Sequence, residues 1–116
     1  MNRKEFTKLH ASFCDKIKEI TAKKNADYTG ATDDPFANFK TTEHLGICTA
    51  EQAFLTRMTD KMTRIATFVK KGTLQVADES VEDTLLDLSN YAILLACYIK
   101  SKRNKWVLFV RNIKHQ

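Results

Sequence analysis

The chain has 116 residues, 43% of them hydrophobic and 28% charged, a composition typical of one globular domain. Its three glycines and one proline encode few turns, which argues against a fold of many short strands and favours long helices. The formal charge of +5 allows an anionic partner, but no basic stripe interleaved with aromatic residues indicates binding to nucleic acid.

The three cysteines, Cys14, Cys48 and Cys97, are odd in number and form no CxxC pair. They predict neither a disulfide framework nor a zinc knuckle, so a reducing compartment suits them. The first ten residues lack the apolar core of a signal peptide, and the longest apolar run, YAILLACYI, is too short to cross a bilayer. We therefore expect a cytoplasmic protein without a membrane partner.

The first segment predicts an amphipathic helix ending near Asn25. Its apolar residues recur at helical spacing between charged ones: Phe6, Leu9, Phe13, Ile17 and Ile20. The following stretch, NADYTGATDDPFANFKTTEHLGIC, holds the only proline and two glycines and predicts a long loop with one helical turn around Phe36 to Phe39. We expect this loop to be ordered, because its aromatic residues would otherwise stand in water.

The second long helix begins at a capping box, Thr49-x-x-Gln52, and ends at Gly72 after two lysines. Its apolar side is predicted to be core and comprises Phe54, Leu55, Met58, Met62, Ile65 and Val69. A neighbouring side gathers one acid among three bases: Arg57, Asp60, Lys61 and Arg64. Two interpretations stay open, a salt-bridged face with Asp60 paired to Arg64, or a cationic strip that binds phosphates.

The third long helix is predicted from about Ser80 to Lys102. Along its first half, Glu79, Asp83, Asp87 and Asn90 share one arc of the helix surface. The helix dipole accounts for acids in the first turn but not for Asp87, which lies two turns in and beside core-like residues. Its carboxylate needs either a base or a metal ion as partner.

Two partners for Asp87 are equally reasonable on chemical grounds. A magnesium ion, Mg²⁺, prefers carboxylate oxygens, and Asp83 and Asp87 could share one with Asp60 from the facing helix. The rival is an ion-pair network with Arg57, Lys61 or Arg64. The sequence contains no GxSxG motif and no Walker-type glycine loop, so metal-assisted hydrolysis is the enzymatic chemistry that its residues could support.

The predicted fold is all-α, a small bundle of three long helices with a long ordered loop between the first two. We expect a helical domain at residues 1–103 and a tail at residues 104–116 that is a strand, a helix or an oligomerisation arm. YAILLACYI is apolar nearly all round, and the tail adds Trp106, Leu108, Phe109 and Val110. Three helices can hardly cover so much apolar surface, so we expect a homo-oligomer.

Three stretches, KKNADYTGATDDPFANFK, FLTRMTDKMTRI and GTLQVADESVEDTLLDLSNYAILL, resemble the phage and bacterial family called nucleotide modification associated domain 1. The resemblance runs from about Lys23 to Lys100. It implies a mostly helical domain tied to phage nucleotide metabolism, acting in the cytoplasm of a bacterium that hosts a phage or prophage.

A wider similarity is to the all-α nucleoside triphosphate pyrophosphohydrolases, the MazG-like and dimeric dUTPase-like proteins, whose EExxE and ExxD motifs bind Mg²⁺. By that similarity Asp83 and Asp87 stand where acids stand there, while Thr84 replaces the ExxD glutamate. Where the first motif has glutamates, this chain has Arg57, Asp60 and Lys61. The substitution puts metal loading in doubt and leaves phosphate binding plausible, because bases neutralise phosphates without a metal.

Three functions follow as hypotheses: a Mg²⁺-dependent nucleoside triphosphate pyrophosphohydrolase, a non-catalytic nucleotide binder that sequesters a nucleotide or regulates an enzyme, and an oligomeric interaction protein. For catalysis the candidates are Asp60, Asp83 and Asp87, with Glu79 as a further metal ligand. The candidates for contacting a nucleotide or another phosphorylated small molecule are Tyr28, Phe36, Asn38, Phe39, Lys40, Arg57, Lys61, Arg64 and Asn90. Among these the aromatic rings would stack on a base, Asn38 would read its edge, and the cations would hold phosphates.

Overall fold

The computed structural model describes residues 1–29, 33–72 and 80–114, and for residues 25–29 only the backbone. These residues form four helices, α1 (Arg3–Thr29), α2 (Ala37–His44), α3 (Ala50–Lys71) and α4 (Val81–Lys114), and they contain no strand. The all-α prediction is confirmed. The expected three-helix count is not exact, because the segment predicted as a loop folds into the eight-residue helix α2.

The residues predicted to start and stop α3 lie at its two ends. The Thr49 hydroxyl accepts from the Gln52 amide at 3.1 Å, and the Gln52 side chain accepts from the Thr49 amide at 3.0 Å. At the other end Gly72 has a φ of 79°, a left-handed conformation that glycine adopts without a steric penalty, and its N–H donates to Phe68. Local chemistry alone therefore fixes where this helix begins and ends.

The helix α4 is longer than predicted and runs without interruption through residue 104 to Lys114. Residues 104–114, for which the sequence left three conformations open, are thus helical. The proposed division between a domain and a tail at this position stays a prediction. None of the helices in the described part of the chain is long and apolar enough to cross a membrane.

A polar turn sets the start of α2. The Asp34 carboxylate accepts from the Phe36 amide at 2.9 Å and from the Lys40 ammonium at 2.6 Å. The hydrogen bond from Lys40, followed by that from Phe36, lowers the pKa of Asp34. The carboxylate thus closes the turn around Pro35 and joins it to the first turn of the helix.

The core is aromatic and small. Phe39 stacks on Phe54 with ring centroids 3.7 Å apart, and Phe36 meets Tyr98 edge-on at 5.3 Å. Phe54 is completely buried, and Ala50 and Ala53 of α3 complete the cluster. Phe36 and Phe39 of the predicted loop are therefore buried as expected, because α2 lays them between α3 and α4.

Part of the predicted core of α3 lies on the surface instead. Leu55, Met62 and Val69 are more than half exposed, whereas Arg57 and Lys61 on the neighbouring side are partly buried. The apolar residues of α3 spread over a wider arc than α2 and α4 cover. Periodicity identified the apolar side, but the packing of the other helices decided which edge of it is buried.

The contacts of α4 with the other two long helices determine their directions. They are the pairs Glu51–Lys102 and Lys61–Asp87 with α3, and Lys16–Glu82 and Thr21–Asn90 with α1. Residue numbers in α3 fall as those in α4 rise, so these two helices are antiparallel. Residue numbers in α1 and α4 rise together from Lys16–Glu82 to Thr21–Asn90, and the long Lys24 side chain reaches back to Asp87, so these two helices run in the same general direction and start and end at different levels.

Replacing the central ring tests the small core. We expect Phe54→Ala to lower the free energy of unfolding by about 3–5 kcal/mol, because it removes both the stacking partner of Phe39 and the buried volume between α3 and α4. The measurement is urea denaturation followed by circular dichroism. Leu55→Ala, one residue along and exposed, is the control and should cost less than about 1 kcal/mol. Equal losses in the two variants would contradict the assigned core.

The turn before α2 gives a pH-dependent prediction. Because the pKa of Asp34 is lower in the folded than in the unfolded chain, its stabilisation is complete at neutral pH and disappears as the pH falls through the folded pKa. We expect Asp34→Asn to cost about 1 kcal/mol near neutral pH and almost nothing well below pH ~4, measured by urea midpoints. Asp33→Asn, which removes the adjacent exposed carboxylate, should leave both midpoints unchanged.

Candidate functional site

The carboxylate of Asp87 is held between two lysines. Lys24 of α1 lies 3.1 Å from one oxygen and Lys61 of α3 lies 3.2 Å from the other. The side chains are largely withdrawn from water, with exposed fractions of 18% for Asp87, 14% for Lys61 and 35% for Lys24. Of the two partners considered from the sequence, a base or a metal ion, this arrangement provides bases.

Lys24 was not among the predicted site residues, although the sequence carried a signal for it. It follows Ile20 by four residues and falls on the same apolar stripe of α1 that begins at Phe6. A lysine on the stripe that a helix buries needs an anionic partner, and Asp87 is the carboxylate that α4 presents there. The partner could not be identified from α1 alone, since it comes from 63 residues further along the chain.

A shallow cleft opens to solvent beside this ion-pair cluster, with a cavity volume of about 30 Å³. All four helices contribute to it or flank it. Its lining residues are Thr21, Lys24, Pro35, Asn38, Phe39, Arg57, Asn90, Tyr91 and Leu94. Two cations, two amides and two aromatic rings therefore face one concave surface, with apolar residues between them.

Arg57 is positioned by α2. Its guanidinium lies 4.7 Å from the ring centroid of Phe39. With the Asn38 amide turned so that its oxygen faces Arg57, that oxygen accepts from both terminal nitrogens at 3.1 and 3.0 Å. Among the described residues no carboxylate forms a salt bridge with Arg57. Its charge is therefore oriented by a neutral amide and a ring, neither of which neutralises it.

Asn90 forms the back of the cleft. Its side chain is only 2% exposed, and its amide oxygen accepts from the hydroxyl of Thr21. Tyr91, the next residue, lies with its ring 5.9 Å from the Lys24 ammonium and edge-on to Phe39. A buried amide beside a tyrosine and a lysine offers both hydrogen-bond donors and acceptors to a ligand that enters the cleft.

The three acids proposed for catalysis do not converge. Asp60 pairs with Arg64 at 3.4 Å on an exposed side of α3, as one interpretation of the sequence expected. Asp83 accepts from the hydroxyl of Ser80 at 2.9 Å, and its amide donates back to that hydroxyl at 3.1 Å, which caps α4. Asp87 forms salt bridges with Lys24 and Lys61. Each carboxylate thus has a structural partner of its own.

A magnesium ion does not fit this arrangement of acids. Both oxygens of Asp87 face ammonium groups, and within residues 1–29, 33–72 and 80–114 no three His, Cys, Asp or Glu side chains are grouped as metal ligands would be. Glu79, the fourth proposed ligand, lies outside the described residues. Magnesium binding stays a prediction, and no step of a mechanism is derived through it.

The remaining predicted contacts divide into two groups. Asn38, Phe39, Arg57 and Asn90 meet at the cleft. Phe36 is buried against Tyr98, Lys40 is engaged by Asp34, and Arg64 by Asp60, so these three lie outside the cleft lining. The side chain of Tyr28 is outside the described part of the chain. Thr21 and Tyr91 line the cleft without having been predicted.

Comparison with known proteins gives one match. The model of the family described as nucleotide modification associated domain 1 matches residues 24–100. No curated protein and no solved structure matches the chain. The wider similarity to MazG-like and dimeric dUTPase-like pyrophosphohydrolases is not shown by these comparisons. The matched segment contains every lining residue of the cleft except Thr21.

Removing the central carboxylate tests the ion-pair cluster. We expect Asp87→Asn to lower the free energy of unfolding by about 2–3 kcal/mol, because two half-buried ammonium groups lose their counter-charge. Asp60→Asn, which breaks an exposed pair on α3, should cost less than about 1 kcal/mol. In urea denaturation, adding Lys61→Met to Asp87→Asn should recover part of the loss. A variant Asp87→Asn as stable as the parent protein would rule out the cluster as a structural element.

Proposed function

We propose that this chain, which belongs to the nucleotide modification associated domain 1 family, binds a nucleotide at the cleft between its helices and holds it by the phosphate groups. The family name associates the domain with nucleotide modification and goes no further. The observation that carries the proposal is the meeting of Arg57 and Lys24 at one concave surface between the helices.

Phosphate recognition is supported by the charge balance of this region. Two cations, Lys24 and Arg57, line the cleft, and among the described residues no carboxylate forms a salt bridge with Arg57. The Arg57 guanidinium is a planar donor that suits two phosphate oxygens at once, and Asn38 and Phe39 already hold it in place. Lys24 can reach a phosphate while it keeps its contact with Asp87, because an ammonium has three donors.

Base recognition is supported by the rest of the lining. Tyr91 presents a ring and Asn90 a buried amide, the combination that stacks on a base and reads its hydrogen-bonding edge. The cavity itself holds only about 30 Å³, roughly the volume of one water molecule, so in this proposal the nucleotide lies across the mouth of the cleft and not inside it. In this proposal Phe36 stabilises the fold and has no contact with the ligand.

The environment of the three acids favours nucleotide binding without hydrolysis. Hydrolysis of a triphosphate would need a metal or a free carboxylate, and Asp60, Asp83 and Asp87 each have a structural partner. Sequestering a nucleotide, or presenting it to a modifying enzyme, needs neither. Action in the cytoplasm of a bacterium that hosts a phage or prophage belongs to the same proposal and follows from the resemblance of the sequence.

Titration calorimetry with nucleoside mono-, di- and triphosphates tests this function, first in EDTA and then with Mg²⁺. We expect affinity to rise with the number of phosphates and to persist in EDTA, because side-chain cations supply the counter-charge. Arg57→Gln should weaken binding by about tenfold or more, since it removes a charge-assisted pair of hydrogen bonds. Lys70→Gln removes one exposed cation from the same helix and should change the affinity little.

Three outcomes would count against the proposal. Equal losses in Arg57→Gln and Lys70→Gln would mean that overall charge, and not the cleft, attracts the nucleotide. Pyrophosphate release with Mg²⁺ or Mn²⁺ that Asp87→Ala abolishes would establish the hydrolase instead. The absence of binding to every nucleotide tested would favour the interaction protein.

A further inference from the structure

Two helix ends of this molecule are exposed over long stretches of the described chain, although Lys102 still pairs with Glu51 of α3. Residues 3–12 of α1 are all exposed, and so are residues 102–109 of α4. Because α1 and α4 are parallel, with Thr21 level with Asn90, these ends project in opposite directions. The molecule is correspondingly elongated, with a longest extent of 59 Å.

Both projecting ends are apolar. Phe6 and Leu9 are exposed on α1, and the run Trp106–Phe109 and Ile113 are exposed on α4. Trp106 is 64% exposed, and its ring stacks on that of Phe109. The five residues 106–110 are all apolar and so cover the full circumference of the helix.

The spacing of the two ends indicates which partner fits. On α1 the stripe is Phe6, Leu9 and Phe13, with steps of three and four residues. On α4 the residues Ile113, Val110 and Trp106 show the same steps when read in the reverse direction. Two antiparallel helices with this pattern place each apolar residue opposite an apolar residue. The same register sets Glu5 of α1 beside Lys114 of α4, an acid beside a base, and Lys8 beside Arg111, two bases, so apolar contact and not charge determines the pairing.

We infer that a second copy of this chain covers both ends in a two-fold dimer, with the first turns of α1 in each copy antiparallel to the last turns of α4 in the other. A two-fold axis repeats each contact, so both ends of both copies are covered at once. The inference is independent of the proposed nucleotide binding, because residues 6–13 and 106–113 lie outside the matched segment and outside the cleft.

The exposed area reaches the lower end of what such a dimer needs. Five large side chains on the two facing sides are exposed by about 40–65% of their surface: Phe6, Leu9, Trp106, Phe109 and Ile113. At about 100 Å² each they offer roughly 500 Å² per copy, or about 1,000 Å² in total, the least that a specific interface buries. Contact between two α4 ends is less favourable, because residues 100–114 hold six basic residues and no acid, whereas residues 3–13 of α1 hold three Lys or Arg and one acid.

Disulfide trapping between different variants tests the register. Cys14, Cys48 and Cys97 are first changed to Ser, and Leu9→Cys and Val110→Cys are then made in separate chains. Mixed and mildly oxidised, the two variants should form a cross-linked dimer containing one copy of each, while each alone should remain uncross-linked. Within one chain these positions lie roughly 45–50 Å apart along the helix axes, so only a contact between copies can join them.

A matched control and a second measurement make the test decisive. Ala11→Cys, on the opposite face of α1, should not cross-link with Val110→Cys. By sedimentation, the unmodified chain should be a dimer at micromolar concentration, and Val110→Glu should weaken dimerisation by about tenfold or more without loss of helical circular dichroism.

Other contacts would give different products and would overturn the inference. Cross-linking of Val110→Cys alone would show that the α4 ends meet each other. Cross-linking of Met62→Cys alone, without the mixed product, would place the contact on the exposed side of α3. A monomer in sedimentation together with no mixed product would exclude a dimer through these ends.

Discussion

A carboxylate withdrawn from water must be reached by cations, and this constraint joins the three long helices of the protein. Asp87 lies two turns inside α4, and its two oxygens are met by Lys24 from α1 and Lys61 from α3. Each helix contributes one charge to the group, so none of the three can rotate or slide without separating a pair. The relative placement of α1, α3 and α4 therefore depends on one side chain.

The aromatic cluster complements this ion-pair cluster on the same face of α4, about three turns further along the helix. Phe39 and Phe54 stack between α2 and α3, and Tyr98 closes the cluster from α4. Because Phe39 is fixed in the core, its neighbour Asn38 is carried next to Arg57. The short helix α2 thus has two roles, one in packing and one in orienting a cation, and the cleft lies where the two clusters adjoin.

The size of the core explains why so much apolar surface remains. Few residues of this chain are fully buried, and large side chains of α1, α3 and α4 stand in water. Monomeric proteins rarely leave contiguous apolar surface of that size exposed. A second copy that covers the projecting ends of α1 and α4 accounts for the part of this surface whose spacing matches, whereas the exposed side of α3 has no such explanation.

Wherever local chemistry is sufficient, the sequence alone determined the structure. The all-α class follows from the scarcity of turn residues, and the limits of α3 follow from Thr49, Gln52 and Gly72. The need of Asp87 for a positively charged partner was also evident, since a carboxylate among core-like residues must be neutralised. Four predicted residues of the cleft, among them Asn38 and Arg57, stood out by their type and spacing.

Only the tertiary structure decided which groups meet. Lys24 and Asp87 are 63 residues apart in sequence, and no local pattern predicts a contact at that separation. The same applies to α3, where periodicity marked Leu55 as core but the position of its neighbours leaves it exposed. Local propensities depend on nearby residues, whereas burial and charge pairing depend on how helices distant in sequence pack together.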